Sequence, residues 1–363
     1  MEKDKVLVGV IGAGFGQVGH IPGFRACPDA EVVAVCDKVP EIAKAAAQKF
    51  DIPYVFTDYY EMLQMEELDL VSVATPPFLH HPMVMATLEA GKHVLCEKPM
   101  ALNTMEAQEM YRRAEEAGVV HLIDHELRFN PTRTRMKELI DDGFIGHLRH
   151  VMLTTVTNFQ TDPFSSPWNW WSQRDKGGGR LGADGSHQID QLRWWFGEIE
   201  GVFGRGRTFV KERKLPDSSE EMRPVETDDF TSLLILFANG AEGVLSISSV
   251  ASHVRGNRVE AYGDEGSLIL DAEGKLWGAR KGEADLKDLS VPDTLASVEG
   301  VSKNVWTRAF AHLARYLVDV VRTGGVLEKG ATFYDGMRCQ EVMDAAKMSW
   351  EEERWVEIGE ESN

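Results

Sequence analysis

Apolar residues in the first third of the chain fall into short runs that alternate with stretches of helical character. Runs rich in valine and isoleucine, ended by glycine, proline or a polar residue, are typical of strands buried on both faces of a parallel sheet. Residues typical of helix ends lie between these runs. Pro82 falls near the first turn of one predicted helix, and Gly91 falls just past its end. The predicted strands are Lys5–Ile11, Glu31–Cys36, Leu68–Ala74, His93–Cys96 and Val119–Ile123, and the predicted helices are Ile21–Ala26, Glu41–Phe50, the one containing Pro82, and Thr104–Ala117 with Thr104 as its cap.

After Arg128 the pattern changes to longer stretches in which apolar and polar residues alternate. This pattern predicts a mostly antiparallel sheet with one face open to a partner, with Pro216–Asp229 as a polar loop. The chain therefore divides into a doubly wound parallel-sheet domain, residues 1–126, and a second α/β domain, residues 127–363. The predicted strands here are His150–Asn158, Phe230–Phe237, Gly243–Val250, Arg258–Gly263 and Ser267–Asp271, and the helices Ser302–Arg322 and Tyr334–Ser349 should cover the other face of the sheet.

Composition and charge narrow the possible classes of function. The chain has 363 residues, of which 43% are hydrophobic and 27% charged, ordinary values for a globular protein of two domains. Its net charge of −19 argues against nucleic acid or an anionic membrane as a partner, because phosphate groups would be repelled. We interpret the short basic stretch from Arg205 to Lys214 as a solvated hairpin face.

Cysteine usage and the lack of export signals favour a cytoplasmic protein. The four cysteines form no CxxC pair and show no metal-ligand spacing, so we expect reduced thiols and no metal site. No apolar run approaches the ~18 residues of a membrane span, and the N-terminus shows no signal-peptide cleavage pattern. The cysteines are Cys27, Cys36, Cys96 and Cys339.

A glycine-rich turn follows the first strand in the string VGVIGAGFGQVGH. Backbone amides of such a turn, together with the positive end of the next helix, bind a pyrophosphate without any side chain. Two registers compete: one uses Gly12 and Gly14, with Gly16 or the local backbone beside Phe15 making the close approach, and the other begins at Gly14. The position directly after the strand favours the first register and a dinucleotide cofactor.

Asp37 closes the second strand and bears on the choice of cofactor. A carboxylate there accepts hydrogen bonds from a ribose 2′-hydroxyl and repels a 2′-phosphate, which favours NAD over NADP. Lys38 beside it weakens this preference, because an ammonium tolerates the phosphate. NADP therefore stays possible.

Lys98 is the first catalytic candidate. Because it precedes Pro99, its backbone is expected to be extended, at the carboxyl edge of the parallel sheet where ligands bind. An ammonium at this edge can hydrogen-bond a substrate hydroxyl and stabilise the alkoxide that develops as hydride leaves.

His187 is the second catalytic candidate, in the segment GGGRLGADGSHQID. Its ordinary pKa suits removal of a hydroxyl proton near neutrality. In a helix, Asp184 and Asp190 would lie three residues either side and reach the imidazole, although Asp184 can also be a helix cap. One of Trp168, Trp170 and Trp171 is a candidate substrate contact, whereas Trp194 and Trp195 are expected to pack.

These strings together resemble the glucose–fructose oxidoreductase, inositol dehydrogenase and rhizopine-catabolism (Gfo/Idh/MocA) family. The matching strings run nearly end to end and include VSVATPPFLHH, EAGKHVLCEKPMA, RFNP and AYGDEGSLILD. The resemblance implies a Rossmann domain followed by an open-faced α/β domain that pairs sheet to sheet in homodimers or homotetramers. It implies hydride transfer between a nicotinamide and a sugar, polyol or related alcohol, with Lys98 and His187 catalytic and with Thr75, Pro76, His80 and Glu97 at the cofactor.

The chain departs from the family pattern at one position. The family places an aspartate four residues before the histidine, where this chain has Ala183, and Asp184 is offset by about 100° on a helix. In serine proteases, loss of the carboxylate that fixes the histidine tautomer lowers the rate by orders of magnitude. We therefore expect that the chain belongs to a divergent branch of the family, that Asp184 or Asp190 substitutes for the aspartate, or that the chemistry differs.

Two other functions stay open from the sequence. An NAD-dependent glycoside hydrolase would cleave glycosides without net formation of NADH. A sensor without catalysis, which Ala183 motivates, would bind NAD and turn over no sugar or polyol. The substrate and the direction of reaction are not set by these residues.

Overall fold

The computed structural model describes residues 5–216, 220–254, 256–295 and 304–359. Two compact units account for the chain, the first formed by residues 1–130 and 293–337 and the second by residues 131–292 and 338–363. The sequence predicted a single boundary, at residue 126. In the structure, residues 293–337 make their contacts with the first unit, so the chain passes from the first unit to the second and back. As a division of function, the two domains stay a prediction.

Short and long strands occur in both units. In chain order they are β1 (Val6–Ile11), β2 (Ala30–Cys36), β3 (Tyr54–Phe56), β4 (Leu70–Val73), β5 (His93–Cys96), β6 (His121–Ile123), β7 (Leu148–Val156), β8 (Ile199–Arg207), β9 (Glu212–Lys214), β10 (Met222–Pro224), β11 (Phe230–Phe237), β12 (Glu242–Ser248), β13 (Gly256–Gly263), β14 (Gly266–Leu270), β15 (Leu276–Arg280), β16 (Lys287–Asp288), β17 (Ala331–Thr332) and β18 (Val356–Glu357).

The helices follow the same numbering. They are α1 (Ala13–Gly16), α2 (His20–Arg25), α3 (Pro40–Phe50), α4 (Tyr59–Leu63), α5 (His80–Glu89), α6 (Thr104–Ala117), α7 (Pro131–Asp141), α8 (Ser186–Phe196), α9 (Val305–Thr323) and α10 (Phe333–Glu352). Single turns of 3₁₀ helix occur at Pro77–Leu79, Glu126–Phe129, Trp170–Ser172 and Arg174–Lys176, and a π-helical turn at Leu181–Gly185.

The first unit is built on a parallel sheet in the strand order β17-β6-β5-β4-β1-β2-β3, in which β17 alone runs antiparallel among the described strands. Its central strands β1 and β4 are buried almost along their whole length, with Ser72 the polar residue of β4, because both faces of the sheet are covered. The strand order reverses direction at β1 and β4, the position where doubly wound sheets bind ligands at the carboxyl ends of the strands. The predicted parallel fold is confirmed.

Helix α9 was predicted to cover the second sheet, and this is wrong. Its apolar side, including Phe310, Leu313 and Leu317, is buried in the same core as Val8 and Val10 of β1. The apolar pattern predicted the helix correctly from residue 305 onward. It carried no information on which of the two sheets the helix packs against. Residues 302 and 303 of the predicted helix lie outside the described residues.

The second unit holds a large sheet in the order β16-β15-β14-β13-β7-β12-β11-β8-β18 over the described residues. Its pairs are antiparallel except β7 with β12, so the predicted, mostly antiparallel sheet is confirmed. Alternate residues of β7, β11 and β12 are buried, and they form one core with α8 and the later part of α10. The intervening residues of these strands, which are exposed or half-buried, lie on the opposite face of the sheet.

Three local expectations need correction. The cap of α6 is Asn103, whose side chain accepts the Glu106 N–H, and not Thr104. The basic stretch is not all solvated, because Arg213 is buried and donates to the Ser166 and Gln160 carbonyls. The expected loop at 216–229 contains β10, which pairs with β9, and residues 217–219 lie outside the described part.

Candidate active site

The glycine turn lies directly at the end of β1, between the ends of β2 and β4. Gly12 has a left-handed backbone, with a φ of 97°, and a Cβ there would lie 2.5 Å from the Ala74 carbonyl oxygen. Only glycine meets both requirements without displacing β4. At Gly14 a Cβ would have no neighbour within 4 Å, whereas at Gly16 it would lie 2.8 Å from Val10 Cγ1.

These distances separate the roles of the glycines. Gly12 makes the turn, Gly14 leaves open space beside the backbone, and Gly16 allows the chain to pass close over β1. This arrangement agrees with the first of the two predicted registers. Phe15 is 54% exposed at the tip of the turn. The helix predicted at Ile21–Ala26 is α2, His20–Arg25, and a separate short helix, α1, forms within the turn itself.

Asp37 joins the end of β2 to the glycine turn. One carboxylate oxygen accepts the Ala13 N–H at 3.0 Å and the other accepts the Val39 N–H at 3.0 Å. The side chain therefore holds the turn in place in addition to the ribose contact predicted for it. Sequence reasoning did not anticipate this second role, because a hydrogen bond to a backbone amide leaves no motif.

The loop after β4 is held from beneath by His80. Its Nε2 lies 2.8 Å from the Thr75 carbonyl oxygen and its Nδ1 lies 2.9 Å from the Pro99 carbonyl oxygen, with the ring fully buried. Burial lowers the pKa of His80, and the two carbonyl contacts and the Glu97 carboxylate oppose that shift. His80 thus ties the Thr75-Pro76 loop to the loop that carries Lys98.

Lys98 follows β5 at the same sheet edge as the glycine turn. Its backbone N–H donates to Glu97 Oε2 at 3.0 Å, so the preceding side chain fixes the main chain of the lysine. The peptide bond between Lys98 and Pro99 is cis. Glu97 is 6% exposed and turned inward.

A buried polar cluster lies behind Lys98. His20 Nε2 lies 2.9 Å from Glu97 Oε1 and 3.6 Å from Asp124 Oδ2, and His20 Nδ1 lies 2.7 Å from Ser72 Oγ. Burial alone would raise the pKa of Glu97, but the His20 hydrogen bond and the Lys98 ammonium outweigh it and bring the pKa to about 2. Glu97 is therefore a carboxylate.

The other two carboxyl groups of this region behave in the opposite way. Burial, reinforced by the charges of Glu126 and Glu97, raises the pKa of Asp124 well above its ordinary value. Burial, reinforced by Glu97, raises the pKa of Glu126 to about 8. Burial and neighbouring charge thus raise the pKa values of Asp124 and Glu126, whereas hydrogen bonds and the nearby ammonium lower that of Glu97.

In the second unit, His187 lies in the first turn of α8 and is 3% exposed. Asp190, on the next turn, is fully buried. The preceding π-helical turn changes the spacing assumed from the sequence, since Asp184 lies in the turn and not on α8. The Asp184 carboxylate forms an ion pair with Arg180.

Arg180 anchors the glycine run from within. It is 3% exposed, its guanidinium lies over the rings of Phe159 at 4.5 Å and Trp171 at 5.5 Å, and burial lowers its pKa to about 10. Trp170 and Trp171 stack with ring centroids 4.6 Å apart. The predicted packing of Trp195 is confirmed, as it is buried in the core of the second unit.

Comparison with known proteins identifies the chain at the level of its family. A model of the oxidoreductase family with an NAD-binding Rossmann fold matches residues 6–125, and a model of the GFO/IDH/MocA C-terminal domain matches residues 134–269. An uncharacterised oxidoreductase of Synechocystis sp. is 31% identical, over 98% of this chain and 97% of its own length. The chain belongs to the GFO/IDH/MocA oxidoreductase family.

Two further comparisons are with proteins named levoglucosan dehydrogenase. Levoglucosan dehydrogenase of Pseudarthrobacter phenanthrenivorans is 32% identical over 73% of this chain and 73% of its own. A solved structure of levoglucosan dehydrogenase in complex with NADH and L-sorbose superposes with a TM-score of 0.89, at 26% identity, covering 99% of this chain and 100% of that one. The predicted family, fold class, oxidoreductase activity and NAD cofactor are confirmed.

Sequence reasoning missed several residues that the GFO/IDH/MocA chain uses to build this site. His20 ends the glycine-rich string but was given no role, and Ser72, Asp124 and Glu126 were not singled out. A usable signal was present for Asp124 and Glu126, since both closely follow a predicted buried strand, as Lys98 does. Arg180 was missed because it lies in a glycine-rich segment that was interpreted through its backbone alone.

Helices of the described residues include none with the length and apolar character needed to cross a membrane. Cys27, Cys36 and Cys96 are buried thiols whose pKa values are raised, first of all by burial, in the case of Cys36 to about 12. Such thiols are poor nucleophiles and poor metal ligands.

Proposed function

We propose that this oxidoreductase transfers hydride between NAD and a hydroxyl-bearing carbon of a sugar, polyol or related alcohol. One observation carries the proposal: the glycine turn, Asp37, the Thr75-Pro76 loop and Lys98 follow β1, β2, β4 and β5, which are neighbours in one parallel sheet. Their common edge brings a dinucleotide turn and an ammonium to the same crevice. Relatives named for levoglucosan, D-apiose and myo-inositol support the substrate class.

The first unit fits NAD on its own geometry. Gly14 offers open space where a side chain would block a pyrophosphate, and Asp37 is fixed at the end of β2, where a ribose 2′-hydroxyl is bound in this fold. We propose Gly12, Gly14, Phe15, Gly16 and Asp37 as the residues that hold the dinucleotide. We propose Thr75 and Pro76 at its nicotinamide end, with His80 and Glu97 acting beneath that edge as the supports of the two loops.

The chain's own residues handle the proton. The Lys98 ammonium donates a hydrogen bond to the substrate hydroxyl and stabilises negative charge on that oxygen. His187 accepts the hydroxyl proton as general base, and we propose that Asp190, which is buried on the next turn of α8, orients the imidazole. When bound, NAD supplies the acceptor for the hydride. Asp184, committed to Arg180, is proposed to hold the glycine run around the histidine, and it stays a candidate for direct action.

The experiment is a substrate panel with matched variants. Purified protein with NAD is offered levoglucosan, pentoses, hexoses and inositols, and NADH formation is followed by absorbance. We expect net NADH with at least one of these alcohols and its loss in His187→Ala. Glycoside cleavage without net NADH would favour the hydrolase alternative, and NAD binding without any turnover across the panel would favour the sensor.

We propose that the protein self-associates through the open face of its second sheet. Four neighbouring strands place Met152, Val244, Leu234 and Phe203 opposite one another in register, and these side chains are 37% to 50% exposed. A contiguous apolar row on a sheet face is a recurrent mark of an interface. Leu234→Glu should lower the mass measured by light scattering to that of a monomer, whereas Val326→Glu, 82% exposed in the first unit, should not. A wild-type monomer would contradict the proposal.

We also propose a cytoplasmic location, supported by the buried thiols Cys27, Cys36 and Cys96, which suit a reducing compartment. Fractionation of the source cells tests it. Recovery of the protein outside the cytoplasm would contradict it.

A further inference from the structure

The cluster of His20, Ser72, Glu97 and Asp124 has no direct part in the reaction as proposed above. All four residues lie in the first unit, and none is more than 6% exposed. Buried polar groups of this kind are costly unless they satisfy one another. The cluster is therefore expected to have a function. Because Glu97 accepts the Lys98 N–H, that function is expected to concern the position of Lys98.

The fold forces two carboxyl groups together at this point. Strands β5 and β6 are parallel neighbours, with Cys96 opposite Ile123, so Glu97 and Asp124 leave the sheet side by side. The Asp124 N–H donates to the Cys96 carbonyl at 2.8 Å and fixes the separation of the two backbones. A single atom, His20 Nε2, faces both carboxyl groups, at 2.9 Å and 3.6 Å.

Two carboxylates so close in a buried site do not both ionise, and one keeps its proton. The contacts indicate that Asp124 keeps the proton and that Glu97 is ionised. Glu97 faces His20 on one oxygen and accepts the Lys98 N–H on the other, so hydrogen bonds favour its charged form. Asp124 has one oxygen, Oδ1, that is buried without a hydrogen-bond partner among the described residues, a position that a charged oxygen would not tolerate.

We propose that Asp124 is a positioning residue for Lys98: a neutral carboxylic acid that donates a hydrogen bond to the Glu97 carboxylate, which in turn holds the Lys98 main chain. The inference rests on the proposed role of Lys98 at the substrate. Without Asp124, Glu97 would hold the lysine less firmly, because its carboxylate would keep only the His20 and Lys98 donors and lose the third.

The same network reaches the glycine turn. With its hydrogen on Nε2, His20 donates to Glu97 and accepts the Ser72 hydroxyl hydrogen on Nδ1. The imidazole ring packs against Phe310, at 4.5 Å between centroids, and edge-on to Phe15, at 5.9 Å. Phe15 belongs to the glycine turn, so the turn and the lysine share one buried support.

The test compares Asp124→Ala with Asp124→Asn in the full chain. Alanine removes the donor, whereas a carboxamide donates N–H in place of O–H and carries no charge. We expect kcat with the best alcohol to fall about tenfold or more in Asp124→Ala, the loss of one hydrogen bond to a charged group. The dissociation constant for NAD, measured by tryptophan fluorescence, should change less than kcat, and Asp124→Asn should restore much of the turnover.

A second readout needs no substrate. The rate at which an amine-directed reagent modifies Lys98, followed by mass spectrometry, should change in Asp124→Ala and return towards wild type in Asp124→Asn. The control is Asp69→Ala at the opposite end of β4, where a carboxylate accepts the Leu7 N–H at 3.0 Å, and it should leave the Lys98 rate unaltered. If no alcohol is oxidised, the proposed function fails while this measurement still decides the role of Asp124.

Infrared spectroscopy keeps the proposal testable should the alanine variant fail to fold. A neutral carboxylic acid has a C=O stretching band that a carboxylate lacks, and Asp124→Asn should remove one such band from the wild-type spectrum and leave that of Glu126 in place. Three results would overturn the proposal: an unchanged carboxylic-acid region in Asp124→Asn, equal effects of asparagine and alanine on Lys98, or one equivalent of metal ion bound in the purified protein by His20, Glu97 and Asp124, whose donor atoms lie within 4.8 Å of one another.

Discussion

Glu126 should make the first unit less stable as pH rises, and Glu126→Gln should remove that dependence. Burial and the nearby Glu97 charge raise the pKa of Glu126 from 4.5 to about 8 in the folded protein. A group whose pKa is raised on folding contributes stability that is fully present below its unfolded pKa and is lost as pH rises through its folded pKa. The relevant window therefore runs from about pH 4.5 to about pH 8.

The magnitude follows from the width of that window. At 1.36 kcal/mol per pKa unit, a shift of 3.5 units (8 − 4.5) corresponds to about 5 kcal/mol once the group is ionised in both states. At pH 7 the unfolded chain has ionised and the folded one has not, so the loss is about 3 kcal/mol, 1.36 multiplied by 2.5. Glutamine has the shape of the neutral acid and carries no such loss.

The assay is denaturant unfolding of wild type and Glu126→Gln between about pH 5 and about pH 8, with the free energy of unfolding compared at each pH. We expect the variant to gain on wild type steadily across this range. Glu66→Gln, an exposed glutamate on the same unit, serves as the control and should follow wild type. A difference between Glu126→Gln and wild type that does not vary with pH would refute the reasoning.

Three further predictions concern the cofactor and the proton. Gly12→Ala should destabilise the first unit by about 2 kcal/mol or more, because of its φ of 97° and the clash with the Ala74 carbonyl. Gly14→Ala should have the unfolding free energy of wild type and weaken only the binding of NAD, measured by calorimetry. Equal losses of stability in the two variants would contradict the assigned roles. Asp37→Ala should lower the preference for NAD over NADP about tenfold, while also weakening NAD itself through loss of the Ala13 contact; an unchanged ratio of dissociation constants would count against the ribose contact. His187→Gln should lower kcat about a hundredfold at neutral pH with little change in NAD affinity, and a variant with wild-type kcat would remove the histidine from the reaction.

The alternating strands and helices of the first unit were predictable because each buried parallel strand is a short apolar run with sharp ends. Val6–Ile11 and His93–Cys96 agree with the sequence within a residue at each end. The alternating strand Phe230–Phe237 of the second unit agrees equally well. The short strand Tyr54–Phe56 was missed because it lies at the sheet edge, where its first two residues are exposed and the apolar signal is weak.

Long-range partnerships were not predictable from one sequence. The apolar face of α9 is compatible with either sheet, and nothing in its spacing shows that it packs with Val8 and Val10. The pairing of His20 with Glu97 and Asp124 joins three distant segments through hydrogen bonds, which leave no periodic signal. The π-helical turn before His187 likewise overrode the spacing expected of a regular helix for Asp184.

The central claim is that Lys98 acts on the substrate at the edge of the sheet where NAD binds. The direct measurement is kcat and the NAD dissociation constant for Lys98→Ala beside Lys44→Ala, an exposed lysine of α3, with the best alcohol of the panel. The account predicts that Lys98→Ala loses about two orders of magnitude or more in kcat, with NAD affinity changed far less, and that Lys44→Ala matches wild type. Wild-type kcat in Lys98→Ala would contradict it.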